Sequence, residues 1–273
     1  MPTPHRGPLI RRQSAWTRIS HWTWAVALFF LLLSGLQIFN AHPTLYIGEQ
    51  SGFDFDNTVA EIGAERGEDG LTGYTEVFGT RFDTTGLLGA TGPEGSRTAR
   101  AFPPEVTIPS GRSLASGRIV HFFFAWLLVG TLAVWAIASL VNGHLRRDLL
   151  PTMADVQSLP RDVVDHLRFR FHHGRSYGAL QKLAYAGVLF VAFPLMVATG
   201  LAMSPGVNAA VPWLTDVLGG RQTARTIHFV TMLALVAFFV VHITMVLAAG
   251  PFNQIRSMVT GRYRIDPEPE ERT

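Results

Sequence analysis

Between Ile227 and Ala249 the chain reads IHFVTMLALVAFFVVHITMVLAA, without one Asp, Glu, Lys or Arg. A helix needs about 20 apolar residues to cross the hydrocarbon core of a bilayer, so this segment is long enough to span it. It nevertheless holds two histidines, His228 and His242. Their offset of 14 residues is nearly four whole turns and about 21 Å of rise, so both imidazoles project from one side of one helix at two depths.

Three further segments have the same character, from Ile19 to Phe39, Ile119 to Val141 and Leu183 to Met203. All 23 basic and 20 acidic residues fall in the segments between and around the four spans. Only 16% of the 273 residues are charged, against about 25% in soluble domains, and the mean hydropathy is +0.22. These features exclude an ordinary soluble enzyme. The chain reads as an all-α membrane protein, a four-transmembrane-helix bundle forming one membrane domain over residues 1–273. Its connections are residues 40–118, 142–182 and 204–226, with a tail at 250–273. It has no cysteine, which removes disulfides, cysteine-ligated iron–sulfur clusters and covalently attached haem.

The connections carry a sided charge pattern. Residues 1–18 hold four Arg and no acid, and residues 142–182 hold seven Lys or Arg against four acids. Residues 40–118 hold six basic and eleven acidic residues. Excess Lys and Arg marks the cytoplasmic side, so both termini and the middle link are expected in the cytoplasm and the long first link in the periplasm of a bacterial inner membrane. The Arg11-Arg12 pair precedes a run too long for a signal peptide and without a small-residue cleavage site, so it reads as a retained helix. The partners expected from this composition begin with lipid; no nucleic acid is among them.

Four of the ten histidines lie in the spans: His21, His121, His228 and His242. An ionisable side chain in lipid costs a few kcal/mol and marks function by default. In the expected orientation His21 and His242 share the cytoplasmic level, and His121 and His228 the periplasmic one. Two imidazoles opposed at one level are the donors that a six-coordinate b-type haem iron needs, so two non-covalent haem b groups are the expected cofactors. An internal echo accompanies them. Arg118-Ile119-Val120-His121-Phe122 opens the second span and Arg225-Thr226-Ile227-His228-Phe229 the fourth; Ser34-Gly35-Leu36 closes the first and Thr199-Gly200-Leu201 the third. The echo reads as an incomplete duplication of a two-helix unit, with Ala186 where His21 would recur and Trp135 matching His242.

Arg18, Arg118 and Arg225 each lie about one turn before one of these histidines. They are candidate partners for haem propionates, with snorkelling anchors at helix ends as the plainer reading. His144, His172 and His173 sit in basic segments and read as solvated; His42, before Pro43, reads as a partner contact or a turn cap. The first link, with thirteen glycines, is expected to cover the periplasmic haem and dock a redox partner, with a short hairpin at Phe78 to Leu88. An amphipathic surface helix is expected around Asp162 to Phe171, and a disordered tail after Ile265.

At these residues the chain resembles the b-type cytochrome subunits of formate dehydrogenase and nickel–iron hydrogenase, in the cytochrome b561 superfamily. Their fourth helix carries two histidines separated as His228 and His242 are, while helices 1 and 2 give one each. The resemblance implies His21 and His242 on one haem iron and His121 and His228 on the other. Three stretches, Ser34 to Pro43, Gly219 to Phe229 and Asn253 to Arg262, are similar to a branch paired with periplasmic molybdopterin oxidoreductases of the sulfite-oxidase type. The long first link departs from the formate dehydrogenase and hydrogenase subunits.

The expected function is electron transfer between a periplasmic partner, such a molybdopterin enzyme, and membrane quinone near the cytoplasmic-level haem. Residues flanking His21 and His242, together with Asn253, are candidates for the quinone site. Three alternatives remain from sequence: a self-contained quinone-linked oxidase or reductase of a small substrate such as superoxide, a histidine-lined proton or metal transporter, and a plain anchor. The spans lack the carboxylates that proton relays usually include.

Overall fold

The computed structural model describes residues 7–68, 70–143, 150–168 and 178–265. A strand β1 (Leu9–Arg11) precedes the helix α1 (Ala15–Phe39). The first link then forms strands β2 (Thr44–Tyr46), β3 (Thr58–Gly67), β4 (Gly70–Val77), β5 (Thr80–Asp83), β6 (Ala90–Thr91) and β7 (Thr98–Ala99). After it come α2 (Leu114–Val141), α3 (Met153–Leu167), α4 (Ala179–Gly187) and α5 (Phe193–Ala202). The chain continues through the short α6 (Pro205–Ala210) and α7 (Pro212–Val217) to α8 (Arg221–Ala248), α9 (Pro251–Thr260) and β8 (Arg262–Arg264).

Among the described residues four helices are long and apolar enough to cross a membrane: Ala15–Phe39, Leu114–Val141, Ala179–Ala202 and Arg221–Ala248. Each begins four to six residues before its apolar window, because polar first turns are capped there. Ser14 accepts the Thr17 N–H at 3.0 Å and Ser113 the Ser116 N–H at 3.3 Å, satisfying donors that a helix start leaves open. The third of these helices is α4 and α5 joined by a π-helical turn over Val188–Ala192. Pro194 lacks an N–H and its ring crowds the carbonyl one turn back; the widened turn ahead of it relieves that crowding.

The chain divides into two compact units. One comprises residues 24–130 and 194–233. Its sheet has the order β2-β3-β4-β5, antiparallel throughout, so the first link carries more strand than the one short hairpin expected of it. The hairpin expected at Phe78 to Leu88 lies earlier: β4 and β5 turn at Phe78-Gly79, and the main hairpin is β3 with β4. Thr, Val, Ile and Tyr in β3 and β4 suit a pleated surface despite the glycines between them. The sheet is rooted in a cluster of Phe39, Leu45, Ile62 and Ala101, against which Phe102 and Phe229 pack. Phe39 stacks on Phe229 at 4.6 Å, joining the end of α1, the sheet and the start of α8.

The same link caps α8. The Gly48 carbonyl accepts the N–H groups of Gln222 and Thr223 at 3.0 and 3.2 Å, and Thr226 donates to the Tyr46 carbonyl at 2.7 Å. Gly220, at φ +103°, would set a Cβ 2.5 Å from that Gly48 oxygen, so only glycine fits. Arg100 is buried and donates to the Gln37 side chain at 2.6 Å, Thr107 at 2.7 Å and the Ser110 carbonyl at 2.6 Å, tying the link to the last turn of α1.

The other unit comprises residues 1–23, 131–193 and 234–273. There β1 pairs antiparallel with β8, bringing the two ends of the described chain together. Trp22 donates its indole N–H to the Met258 carbonyl of α9 at 3.0 Å. The helix α3 begins earlier than expected, and Phe171, like the tail after Ile265, lies outside the described residues. It is tied to α4 by Lys182 to Asp155 at 3.0 Å and by Asp162, which accepts the Leu180 N–H at 2.8 Å. Hydrogen bonds from the Thr152 backbone and hydroxyl, with Lys182 beside them, bring the Asp155 carboxyl down to about 2.

Replacing Arg100 by leucine leaves the Gln37, Thr107 and Ser110 acceptors without their donor and is expected to cost the link about 3 kcal/mol. Limited proteolysis should then cut within residues 44–101 markedly faster than in the wild type; equal rates would contradict the role given to Arg100. A second expectation concerns pH. Tyr74 donates to Glu61 at 2.6 Å, and this bond, with burial, pushes its phenol up to about 12 from 10.0. The folded state favours the protonated phenol, so its contribution is complete below pH 10 and is lost as the pH rises toward 12. An ultraviolet titration should show one of the five tyrosines ionising late, and Tyr74→Phe should remove that step.

Candidate metal centres

Each unit brings together two histidines from two helices. In the first, His121 of α2 faces His228 of α8 with ring centroids 6.5 Å apart and planes at 60°. In the second, His21 of α1 faces His242 of α8 with centroids 6.4 Å apart and planes at 53°. These are the pairs expected from depth.

The separations can be tested against a metal. An imidazole–metal bond is about 2.0–2.1 Å, and the ring centroid lies about 1.1 Å behind the donor nitrogen. Two imidazoles on opposite sides of one ion therefore hold their centroids roughly 6.3 Å apart. Both pairs meet that distance. Among the described residues no group of three or more His, Cys, Asp or Glu gathers at a possible ion site, so neither pair is extended by protein into a tetrahedral or octahedral cage. The donor set fits an ion whose four equatorial ligands come from a planar macrocycle, which is haem. His121, His228, His21 and His242 are the residues that would hold it.

The two surroundings differ. The His121 Nδ1 lies 3.1 Å from the Ser34 hydroxyl and the His228 Nδ1 2.9 Å from the Thr199 hydroxyl. Ser34 and Thr199 are fully buried. In the other pair Trp22 meets the edge of His21 at 5.3 Å and Phe238 stacks on His242 at 5.8 Å. The His21 Nδ1 is buried with no hydrogen-bond partner among the described residues. The sequence reading had noted Ser34-Gly35 and Thr199-Gly200 only as an echo; their matching positions in two spans were the signal of a shared task.

The three arginines are not equivalent. Arg18 donates to the carbonyls of Ser14 and Val259, and Arg225 donates to the His42 carbonyl and covers the Phe39 ring at 5.5 Å. Both guanidinium groups thus bind backbone at helix ends. Arg118 is exposed and lies over the Phe122 ring at 5.5 Å. Asn253 has both ends of its amide on the Arg264 backbone, at 2.9 and 3.0 Å, which gives it a structural task at the α9–β8 turn. His42 caps the end of α1, its N–H on the Phe39 carbonyl and its ring on Tyr46 at 5.6 Å. Burial, reinforced by Arg225, holds its imidazole below the ordinary value and therefore neutral at pH 7. His144, His172 and His173 lie outside the described residues.

Residues 156–261, which include His228 and His242, match a family model described as prokaryotic cytochrome b561. The chain is also similar to a protein of Azospira oryzae provisionally named protein-methionine-sulfoxide reductase subunit YedZ1. The two are 26% identical over 233 residues, covering 85% of this chain and 87% of the relative. The chain is thus similar to prokaryotic cytochrome b561 over residues 156–261, and four helices among its described residues are long and apolar enough to cross a membrane.

Proposed function

We propose that the chain holds two haem b groups and passes electrons across the inner membrane, between membrane quinone and a periplasmic molybdopterin-containing oxidoreductase. The observation that carries this reading is the presence of two opposed imidazole pairs, each at the separation of one shared iron, with one member of each pair on α8. Haem, when bound, supplies a one-electron carrier whose iron has no open position. The chain's own residues do the rest. His121 with His228, and His21 with His242, grip and orient; the apolar helices exclude water around them.

The orientation follows from charge. With Lys and Arg in excess at 1–18 and 142–182, both termini and the middle link face the cytoplasm, and the link carrying the sheet faces the periplasm. His121 and His228 then lie at the periplasmic level, beside the cluster in which the sheet is rooted. His21 and His242 lie at the cytoplasmic level, where quinone would exchange electrons. Arg118 suits a haem propionate best of the three arginines, since Arg18 and Arg225 already hold backbone carbonyls. The relative named as a protein-methionine-sulfoxide reductase subunit favours outward flow, from quinol to a periplasmic reductase of oxidised methionine in proteins. The sheet offers exposed aromatic rings for such a partner, Phe78 at the β4–β5 turn and Phe82 on β5.

A pyridine haemochrome assay of the purified chain should give near two haem b per polypeptide. His21→Ala and His242→Ala should each remove the same spectral component, and His121→Ala and His228→Ala the other. A preparation with no haem would overturn the reading in favour of a transporter. Replacing Phe78 and Phe82 together by serine should weaken association with the periplasmic partner roughly tenfold, with haem content unchanged. Unchanged affinity would remove the sheet from the docking surface.

A further inference from the structure

The internal echo acquires a chemical meaning when its polar atoms are followed. Ser34 Oγ lies 2.6 Å from the Phe30 carbonyl, 3.3 Å from the Leu31 carbonyl and 3.1 Å from His121 Nδ1. Thr199 Oγ1 lies 2.7 Å from the Leu195 carbonyl, 3.2 Å from the Met196 carbonyl and 2.9 Å from His228 Nδ1. Two helices thus repeat one arrangement to within 0.2 Å.

A carbonyl oxygen only accepts, so the hydroxyl proton must point at the carbonyl one turn back. The hydroxyl oxygen is left as an acceptor, and the contact to Nδ1 is a hydrogen bond only if the imidazole donates; the Leu31 carbonyl beside His121 and the Met196 carbonyl beside His228 accept from the same rings, so hydroxyl and carbonyl share the N–H. A neutral imidazole carries one N–H; placing it on Nδ1 leaves the lone pair on Nε2. The residue after each hydroxyl is glycine, and the ring edge lies against it. A Cβ at Gly35 would stand 3.3 Å from His121 Cε1, and one at Gly200 would stand 3.6 Å from His228 Cε1. At Gly35 the bare backbone spares the imidazole a shift of a few tenths of an ångström, whereas at Gly200 a Cβ would make ordinary contact with the ring.

We propose that Ser34 and Thr199 are positioning residues, each fixing on Nδ1 the proton of the histidine carried by the next long helix, so that Nε2 of His121 and of His228 is presented as an iron ligand. The inference rests on the haem reading given above. Hydroxyls bonded to the carbonyl one turn back are ordinary in membrane helices. That ordinary role does not require a second contact to a histidine of another helix, twice over. In the other pair the His21 Nδ1 has no such acceptor among the described residues. An acceptor on the distal N–H makes a ligating imidazole more basic and favours the ferric ion, so this pair's haem is held at a lower potential than its ligands alone would give.

The test uses the full chain in nanodiscs, titrated spectroelectrochemically, with His121→Ala identifying which component belongs to this pair. Ser34→Ala combined with Thr199→Val should move that component toward the ferrous state by about fivefold, which is about 41 mV at 59 mV per tenfold for one electron. The other component should stay in place, and the hydroxyl-keeping variants Ser34→Thr and Thr199→Ser should titrate as wild type. Loss of that one haem, restored in the hydroxyl-keeping variants, supports the assignment equally. Both haems retained with no shift would overturn it, as would equal movement of both components or an equal shift in Ser34→Thr and Thr199→Ser. A wild-type chain without haem would instead overturn the haem reading itself, and the proposal with it.

Discussion

An imidazole inside a bilayer has two nitrogens and almost no water to satisfy them. The arrangement around His121 and His228 answers that constraint, while the His21 Nδ1 is left without a hydrogen-bond partner among the described residues. A lone histidine at such a depth costs a few kcal/mol, and four of them would be a heavy burden on a chain of 273 residues. Facing pairs at 6.4 and 6.5 Å convert the burden into a potential donor set, since that separation leaves room for one ion between two rings, as the proposed function requires. The second nitrogen must still be served, and in the His121 and His228 pair the buried hydroxyls of Ser34 and Thr199 do so.

The first link belongs to the same scheme. Its sheet does not hang from the helices as a separate appendage. Phe39, Phe102 and Phe229 weld its root to α1 and α8, the Gly48 carbonyl closes open N–H groups of the first turn of α8, and the Tyr46 carbonyl accepts from the Thr226 hydroxyl. His228 follows directly from that cap. The position of one imidazole in the lipid is therefore set partly by a strand and a loop outside it.

Much of this was legible in the chain itself. Hydropathy separated the four helices because no charge interrupts them, and the 14-residue offset on one helix made two levels inevitable. What could not be read lies in contacts between residues far apart in sequence. Thr58 to Val77 looked like glycine-rich link because its apolar residues, Ile62 and Ala60 among them, bury against Phe39, Leu45, Ala101 and their neighbours, which come from elsewhere. Arg18, Arg225 and Asn253 looked like site residues because their types suit anions and quinones, whereas their partners are backbone carbonyls and an N–H supplied by distant turns. The echo of Ser34 and Thr199 was visible, but only three-dimensional proximity to His121 and His228 shows what the hydroxyls serve.

The placement of both partners on α8 bears on how the chain matures. A ribosome makes α1 and α2 first, and with them His21 and His121. Neither histidine has its opposite number until α8, the last of the four long helices, has been synthesised and inserted. The link likewise waits, since its Gly48 and Tyr46 carbonyls meet residues 222–226, and β1 waits longer still for β8. The final third of the polypeptide therefore acts as a clasp within each unit, and a chain released before it would carry two histidines without their opposite numbers and an unanchored sheet.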